Sequence, residues 1–206
     1  MHTRWHASHV VMGVRAHSTT AQVLTFSSKN IHLDQEGLHR LASAVFAEVA
    51  EGALRATPMF DGLEQYHLGA ISELASIFAL ITVEADRSIF EEGDRPESLY
   101  ILLNGSVEVT KRDKTLDVLD GSIGDSGGHP YFGADALLDG ATRRPWNAAT
   151  RTPCNLMACP IKRFKQFLRT VPAFREKLNE FTATRIRQWE LDTGTPPGEL
   201  LQATLR

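Results

Sequence analysis

The chain has 206 residues, 42% of them hydrophobic, and a formal net charge of −3. That length supports one well-cored domain with flanking segments and excludes two large ones. The charge balance gives no global reason to expect nucleic acid as a partner, and no apolar run reaches the roughly 18 residues that a membrane span needs.

Residues 1–33 are rich in His, Ser, Thr and Arg and hold no acidic residue before Asp34. This composition fits either a disordered tail or a targeting segment of the mitochondrial kind, which is acidic-poor and Arg/Ser-containing. Apolar residues then fall at 38, 41, 42, 45, 46, 49, 50 and 53. The i, i+3, i+4, i+7 spacing predicts an amphipathic linker helix over 34–57, ended by Thr57-Pro58 because a residue before proline avoids the helical region. A second helix is expected over about 64–78.

Beyond this point the period changes from helical to alternating. Ile81 to Phe90 alternates and runs into the polar turn Glu91-Glu92-Gly93-Asp94. Leu99 to Leu103 reads as a buried strand, Asn104-Gly105 as a two-residue hairpin turn, and Ser106 to Thr110 as the returning strand. Lys111 to Lys114 is expected as a charged turn and Leu116 to Leu119 as a further strand. Short strands joined in this way predict an antiparallel roll or barrel and not a parallel α/β sheet.

The glycine-rich stretch Ile123 to Pro130 lacks the Gly-Lys-Ser/Thr of a phosphate-binding P-loop. Tyr131 to Leu138 reads as a strand end turning into a short helix, and Asn147 to Ala158 as one or two strands in which Pro153 implies an edge or a bend. Pro160 opens a long helical stretch with an apolar face from Phe164 to Trp189, interrupted at Pro172. Residues 191–206, with Pro196 and Pro197, are expected as a flexible tail. The two cysteines, Cys154 and Cys159, lack the His/Cys partners of a zinc site and are expected as reduced thiols of an intracellular protein. Asp125, Ser126 and His129 lie in one turn, which is not a catalytic triad with an orienting shell, and no hydrolase motif is present. No catalytic residue, metal ligand or cofactor is expected.

The order of elements resembles the cyclic-nucleotide-binding domain family from about Leu54 to Trp189. The segment Pro58 to Leu63 looks like the entry to that domain. Ile89-Phe90-Glu91-Glu92-Gly93-Asp94 and Leu99 to Val109 are similar to the family's most recognisable stretch. Tyr131, Phe132 and Gly133, then Ala134, Asp135, Ala136 and Leu137, with Arg143 and Arg144 further on, resemble its phosphate-binding cassette. The resemblance implies an α+β fold: an antiparallel double-stranded β-helix, or jelly-roll-like β-roll, over 58–190 with helices on both sides. Its closest flavour is the cytoplasmic domain of cyclic-nucleotide-gated and hyperpolarisation-activated ion channels. A catabolite-activator-type regulator needs a helix-turn-helix after the final helix, for which about 17 residues after Trp189 are too few.

For the site, the resemblance implies that a short helix after Gly133 directs its positive end at a cyclic phosphate while Arg144, or its neighbour Arg143, supplies planar donors. Two departures stand against it. Ala134 occupies the position of the acidic residue that accepts from the ribose, and Pro145 and Trp146 replace the small residues after the arginine. Proline removes an N–H donor, and tryptophan either blocks the ligand or stacks on its base. A final-helix lid would draw on Arg185, Ile186, Arg187 or Trp189. Two readings therefore stay open: a sensor of cAMP or cGMP, and a degenerate domain that acts in protein docking or assembly. Either one implies a protein partner or homo-oligomer through the flanking helices. The expected location is the cytoplasm, a membrane reached through partners, or the mitochondrion if residues 1–33 direct it there.

Overall fold

The computed structural model describes residues 10–13, 23–26, 35–112, 114–121, 128–138 and 141–204. Residues 1–49 and 50–206 form two compact units. In the first, strands β1 (Val10–Gly13) and β2 (Val23–Phe26) pair antiparallel with Val10 opposite Phe26. The remainder of the tail expected over 1–33 lies outside the described residues.

Helix α1 (Gln35–Ala56) covers the stretch whose apolar spacing predicts an amphipathic helix. Thr57, fully buried, closes it with its hydroxyl on the Ala53 carbonyl at 2.8 Å. The helix expected over 64–78 is instead two pieces, α2 (Leu63–Tyr66) and α3 (Ala70–Ala75). His67 is extended and Gly69 is left-handed at φ +80°, so the helical hydrogen-bond ladder cannot continue through them.

The second unit is built on two four-stranded antiparallel sheets, as expected for a β-roll. One has the order β3 (Ala79–Val83), β10 (Cys154–Pro160), β5 (Ser98–Asn104), β8 (Tyr131–Phe132). The other has the order β4 (Ser88–Phe90), β9 (Asn147–Thr150), β6 (Ser106–Lys111), β7 (Lys114–Asp120). Strand β6 shows why: Val107 and Val109 are fully buried and alternate with partly exposed Ser106, Glu108 and Thr110. Phe90, Leu102, Phe132, Trp146 and Leu156 join them in one apolar core.

Asn104-Gly105 does not form a hairpin. β5 and β6 belong to different sheets, and the dipeptide is the corner where the chain passes between them. Gly105 is required there twice over: its φ is +90°, and a Cβ would sit 2.4 Å from the Pro153 carbonyl oxygen. The hairpin is β6–β7 instead. Lys111, expected in a charged turn, is the last inward residue of β6 and only 6% exposed; its ammonium is held by Glu92 at 2.9 Å and by the Pro145 carbonyl.

The chain continues as α4 (Ile161–Leu168) and α5 (Pro172–Thr193); the interruption expected at Pro172 falls over residues 169–171, and Pro172 opens α5. Residues 191–206 are not simply a flexible tail: they contain the end of α5 and a further helix, α6 (Glu199–Thr204). No described helix is long and apolar enough to cross a membrane.

Both cysteines are buried free thiols on β10. Burial pushes the Cys159 thiol up to about 12 and raises that of Cys154. Because the thiolate is the reactive form, it is scarce at pH 8, and Cys159 should alkylate about 10³-fold more slowly than an ordinary thiol. Pulsed alkylation with mass spectrometry checks this, with both cysteines reacting at the ordinary rate once urea unfolds the roll.

Candidate functional site

The cassette is placed by strand pairing. β8 aligns Phe132 opposite Tyr100 and Tyr131 opposite Ile101, so Gly133 emerges at the edge of the first sheet, close to Ser98. Gly133 is left-handed at φ +77°, and a Cβ there would lie 3.0 Å from Arg144 Nη1. The short helix expected after it is a single 3₁₀ turn, Ala134–Leu137, with all four residues buried. One 3₁₀ turn has too few aligned peptides to present a substantial macrodipole to an anion.

Arg144 is 2% exposed, and its guanidinium is engaged by the protein itself. Nη1 donates to the Gly133 carbonyl at 2.9 Å and to the Asp135 carboxylate at 3.2 and 3.3 Å, and Nη2 donates to the Ser98 carbonyl. The guanidinium carbon lies 4.1 Å from the centroid of the Phe90 ring, which stacks in turn with Tyr100. Nε alone has no partner. Asp135 is 1% exposed; burial pushes its carboxyl above the ordinary carboxylate range, and the charge of Arg144 opposes that push. One register step along from Ala134, an acidic residue is thus present, but it points at the arginine.

The Arg143–Trp146 segment is fixed from outside. Arg144 N donates to the Asp94 carbonyl and Gly93 N to the Arg144 carbonyl, both at 2.8 Å. Exposed Arg143 donates to the Gly93 carbonyl at 3.0 Å, and buried Lys111 donates to the Pro145 carbonyl. Pro145 therefore sits where its carbonyl, not an N–H, is in use. These contacts turn Trp146 inward, where it is 2% exposed.

Between the cassette and α5 is a cavity of about 20 Å³ lined by Tyr131, Gly133, Asp135, Trp146, Thr182 and Trp189 among others. Phe132 and Ala134 also line it, whereas Ala136 and Leu137 are buried without facing it. The volume suits one water molecule, against the several hundred Å³ of typical ligand pockets. Three buried polar atoms here lack a protein partner: Tyr131 OH, Trp146 Nε1 and Thr182 Oγ1.

Helix α5 closes the cavity through one face. Trp189 meets Trp146 edge-on, with centroids 5.0 Å apart at 84°. Arg185 donates to the Tyr131 carbonyl at 2.8 Å and to Asp117 at 3.3 Å, and its guanidinium lies 4.5 Å from the Tyr131 ring centroid and 4.9 Å from that of Trp189. Trp189 Nε1 donates to the same Asp117 oxygen at 3.2 Å. Of the four lid candidates, Arg185, Ile186 and Trp189 face the roll, while Arg187 is exposed. Sequence reasoning missed Asp117, Thr182, Ser98 and Lys111; only the alternation along β7 marked Asp117 as facing away from Leu116. Among the described residues, no cluster of His, Cys, Asp and Glu is placed to hold a metal ion.

Residues 80–171 match the family model of the cyclic nucleotide-binding domain. The global nitrogen regulator of Nostoc sp. (strain PCC 7120) is 28% identical over 111 residues, which are 53% of this chain and 49% of that protein. The catabolite activator protein of Thermus thermophilus superposes with a TM-score of 0.52 at 25% identity, over 66% of this chain and 61% of that one. The C-linker and cyclic-nucleotide-binding homology domain of zELK channels superposes with a TM-score of 0.52 at 22% identity, over 73% of each chain, a likeness of fold. The chain thus spans about half the length of the nitrogen regulator and under two-thirds of the catabolite activator.

Removing one partner of a buried ion pair leaves an uncompensated charge, at a cost of about 3–5 kcal/mol, whereas replacing both with apolar residues is often neutral. Asp135→Ala and Arg144→Ala should each destabilise the protein by about that amount or more in urea unfolding. Asp135→Leu/Arg144→Met should be less destabilised than the sum of the two, recovering the part due to the uncompensated charge while the Gly133 and Ser98 carbonyls still lack their donor.

Proposed function

We propose that the roll, a member of the cyclic nucleotide-binding domain family, is a non-catalytic regulatory module whose ligand site is filled by its own side chains and which acts by docking to a protein partner or another copy. The observation that carries this reading is the buried pair of Arg144 with Asp135. The family resemblance assigns Arg144 to a cyclic phosphate, and here a carboxylate from the same cassette takes the anion's place.

Energetics favour the self-filled state. For a cyclic phosphate to take Arg144, Asp135 has to give it up and remain buried. Breaking such a pair costs about 3–5 kcal/mol, and the gap between micromolar and millimolar affinity is about 4 kcal/mol. Opening the cavity to nucleotide size further requires separating Trp146 from Trp189 and freeing Arg185 from Tyr131 and Asp117. The first penalty alone brings an ordinary micromolar ligand near the millimolar range, and the second adds to it.

The regulatory character is supported by what the named relatives are, a nitrogen regulator and a catabolite activator. The second reading, a cAMP or cGMP sensor, is favoured by one feature: the spacing of 11 positions from Gly133 to Arg144 matches a common version of the cassette.

Calorimetric titration of the full chain with cAMP and with cGMP separates the two. We expect no saturable heat up to about 1 mM of either ligand, corresponding to less than about 4 kcal/mol of binding. Micromolar binding that a folded Arg144→Lys variant loses would establish the sensor, since lysine keeps the charge but not the planar fork.

A further inference from the structure

We infer that residues 194–204 are an autoinhibitory latch that holds α5 shut over the self-filled site; this rests on the reading above and adds what controls the closure. The segment was expected as a loose tail, yet Leu200 is fully buried and belongs to the same core cluster as Trp146, Ile186 and Trp189. It is the last described residue in that cluster, 11 positions beyond Trp189, and it reaches the core only because the chain doubles back.

Glu190 makes the return possible. Helix α5 ends at left-handed Gly194 (φ +65°) with the paired bonds of a Schellman motif: Gly194 N donates to the Leu191 carbonyl at 3.3 Å and Thr195 N to the Glu190 carbonyl at 2.9 Å. The Glu190 side chain, 3% exposed, then accepts from Gly198 N and Leu200 N, both at 2.8 Å. One residue thus caps the end of α5 with its backbone and the start of α6 with its carboxylate. Charge-assisted bonds of this kind are about twice as strong as neutral ones. A third tie, Glu199 to Arg112 at 3.0 Å, reaches the β6–β7 turn; being exposed, it adds direction more than energy.

Glu190 directly follows Trp189, which forms the wall of the cavity against Trp146. Anchoring Glu190 to α6 therefore fixes the indole next to it. Release of α6 removes Leu200 from the core cluster it shares with that indole. Helix α5 is then held at this end by Arg185 on the Tyr131 carbonyl and on Asp117, and by Trp189 on Asp117. An opened α5 uncovers Trp146, Trp189 and the widened cavity, so any partner that captures residues 194–204 controls access to the site.

The test is amide hydrogen exchange on the full chain, on a chain ending at Gly194, and on Glu190→Gln, with cAMP titrated into each. The latch predicts exchange about tenfold faster or more over 183–193 in both variants, with strands 98–111 unchanged. Unchanged exchange over 183–193 overturns it. Faster exchange of 98–111 together with 183–193 in both variants also overturns it, because α6 is then an inseparable part of the core. Cyclic nucleotide binding by the unaltered chain contradicts the self-filled reading instead, and the exchange comparison still decides the latch.

Discussion

A guanidinium buried at 2% exposure has to be satisfied by the protein, and the whole site is arranged around that requirement. Arg144 takes two carbonyls, one carboxylate and one aromatic face. Each of these comes from a different place in the roll: the Gly133 turn, the Asp135 side chain, the start of β5 at Ser98 and the end of β4 at Phe90. The pair with Asp135 consequently ties together both sheets and the cassette. Glycine at 133 follows from the same constraint, since any Cβ would press on the guanidinium that its carbonyl holds.

Once Arg144 is turned toward Asp135, the remainder of the site closes in a consistent way. Lys111 and the backbone of Gly93 and Asp94 fix the segment on either side of the arginine, and Trp146 is directed inward. The space a ligand would need is taken by Trp146 against Trp189, and Asp117 serves as the common acceptor for Arg185 and Trp189. Two acid–base pairs thus do related work: Asp135 with Arg144 inside the cassette, and Asp117 with Arg185 between roll and lid. The second is half-exposed and weaker, which makes the lid the part of the site that can move.

Much of the fold was legible because it depends on local period. The alternation of Val107 and Val109, the helical spacing of Leu38 to Ala53 and the stop at Pro172 each have one structural solution. What failed depended on context. Asn104-Gly105 adopts a tight left-handed corner in either a hairpin or a sheet-to-sheet crossing, and only the partner strands decide which. Lys111 reads as a surface cation until the Pro145 carbonyl is placed against it. The tail looked loose because Gly194, Pro196 and Pro197 break a helix, while the glutamate that restarts one lies upstream at Glu190. At the site, Gly133 and Arg144 carried a clear signal, but whether the arginine faces a ligand or Asp135 is set by burial and three-dimensional placement.

If the site is self-filled, Asp135 and not a cyclic phosphate is the counter-ion of Arg144. A crystal structure of the protein grown in about 0.1 mM cAMP, saturating for a micromolar site but well below the millimolar affinity that the pair's cost leaves, tests it most directly. Arg144 is expected on Asp135 and Trp146 against Trp189, with no nucleotide between the cassette and α5. Density for cAMP with its phosphate on Arg144 and Asp135 turned away would contradict it.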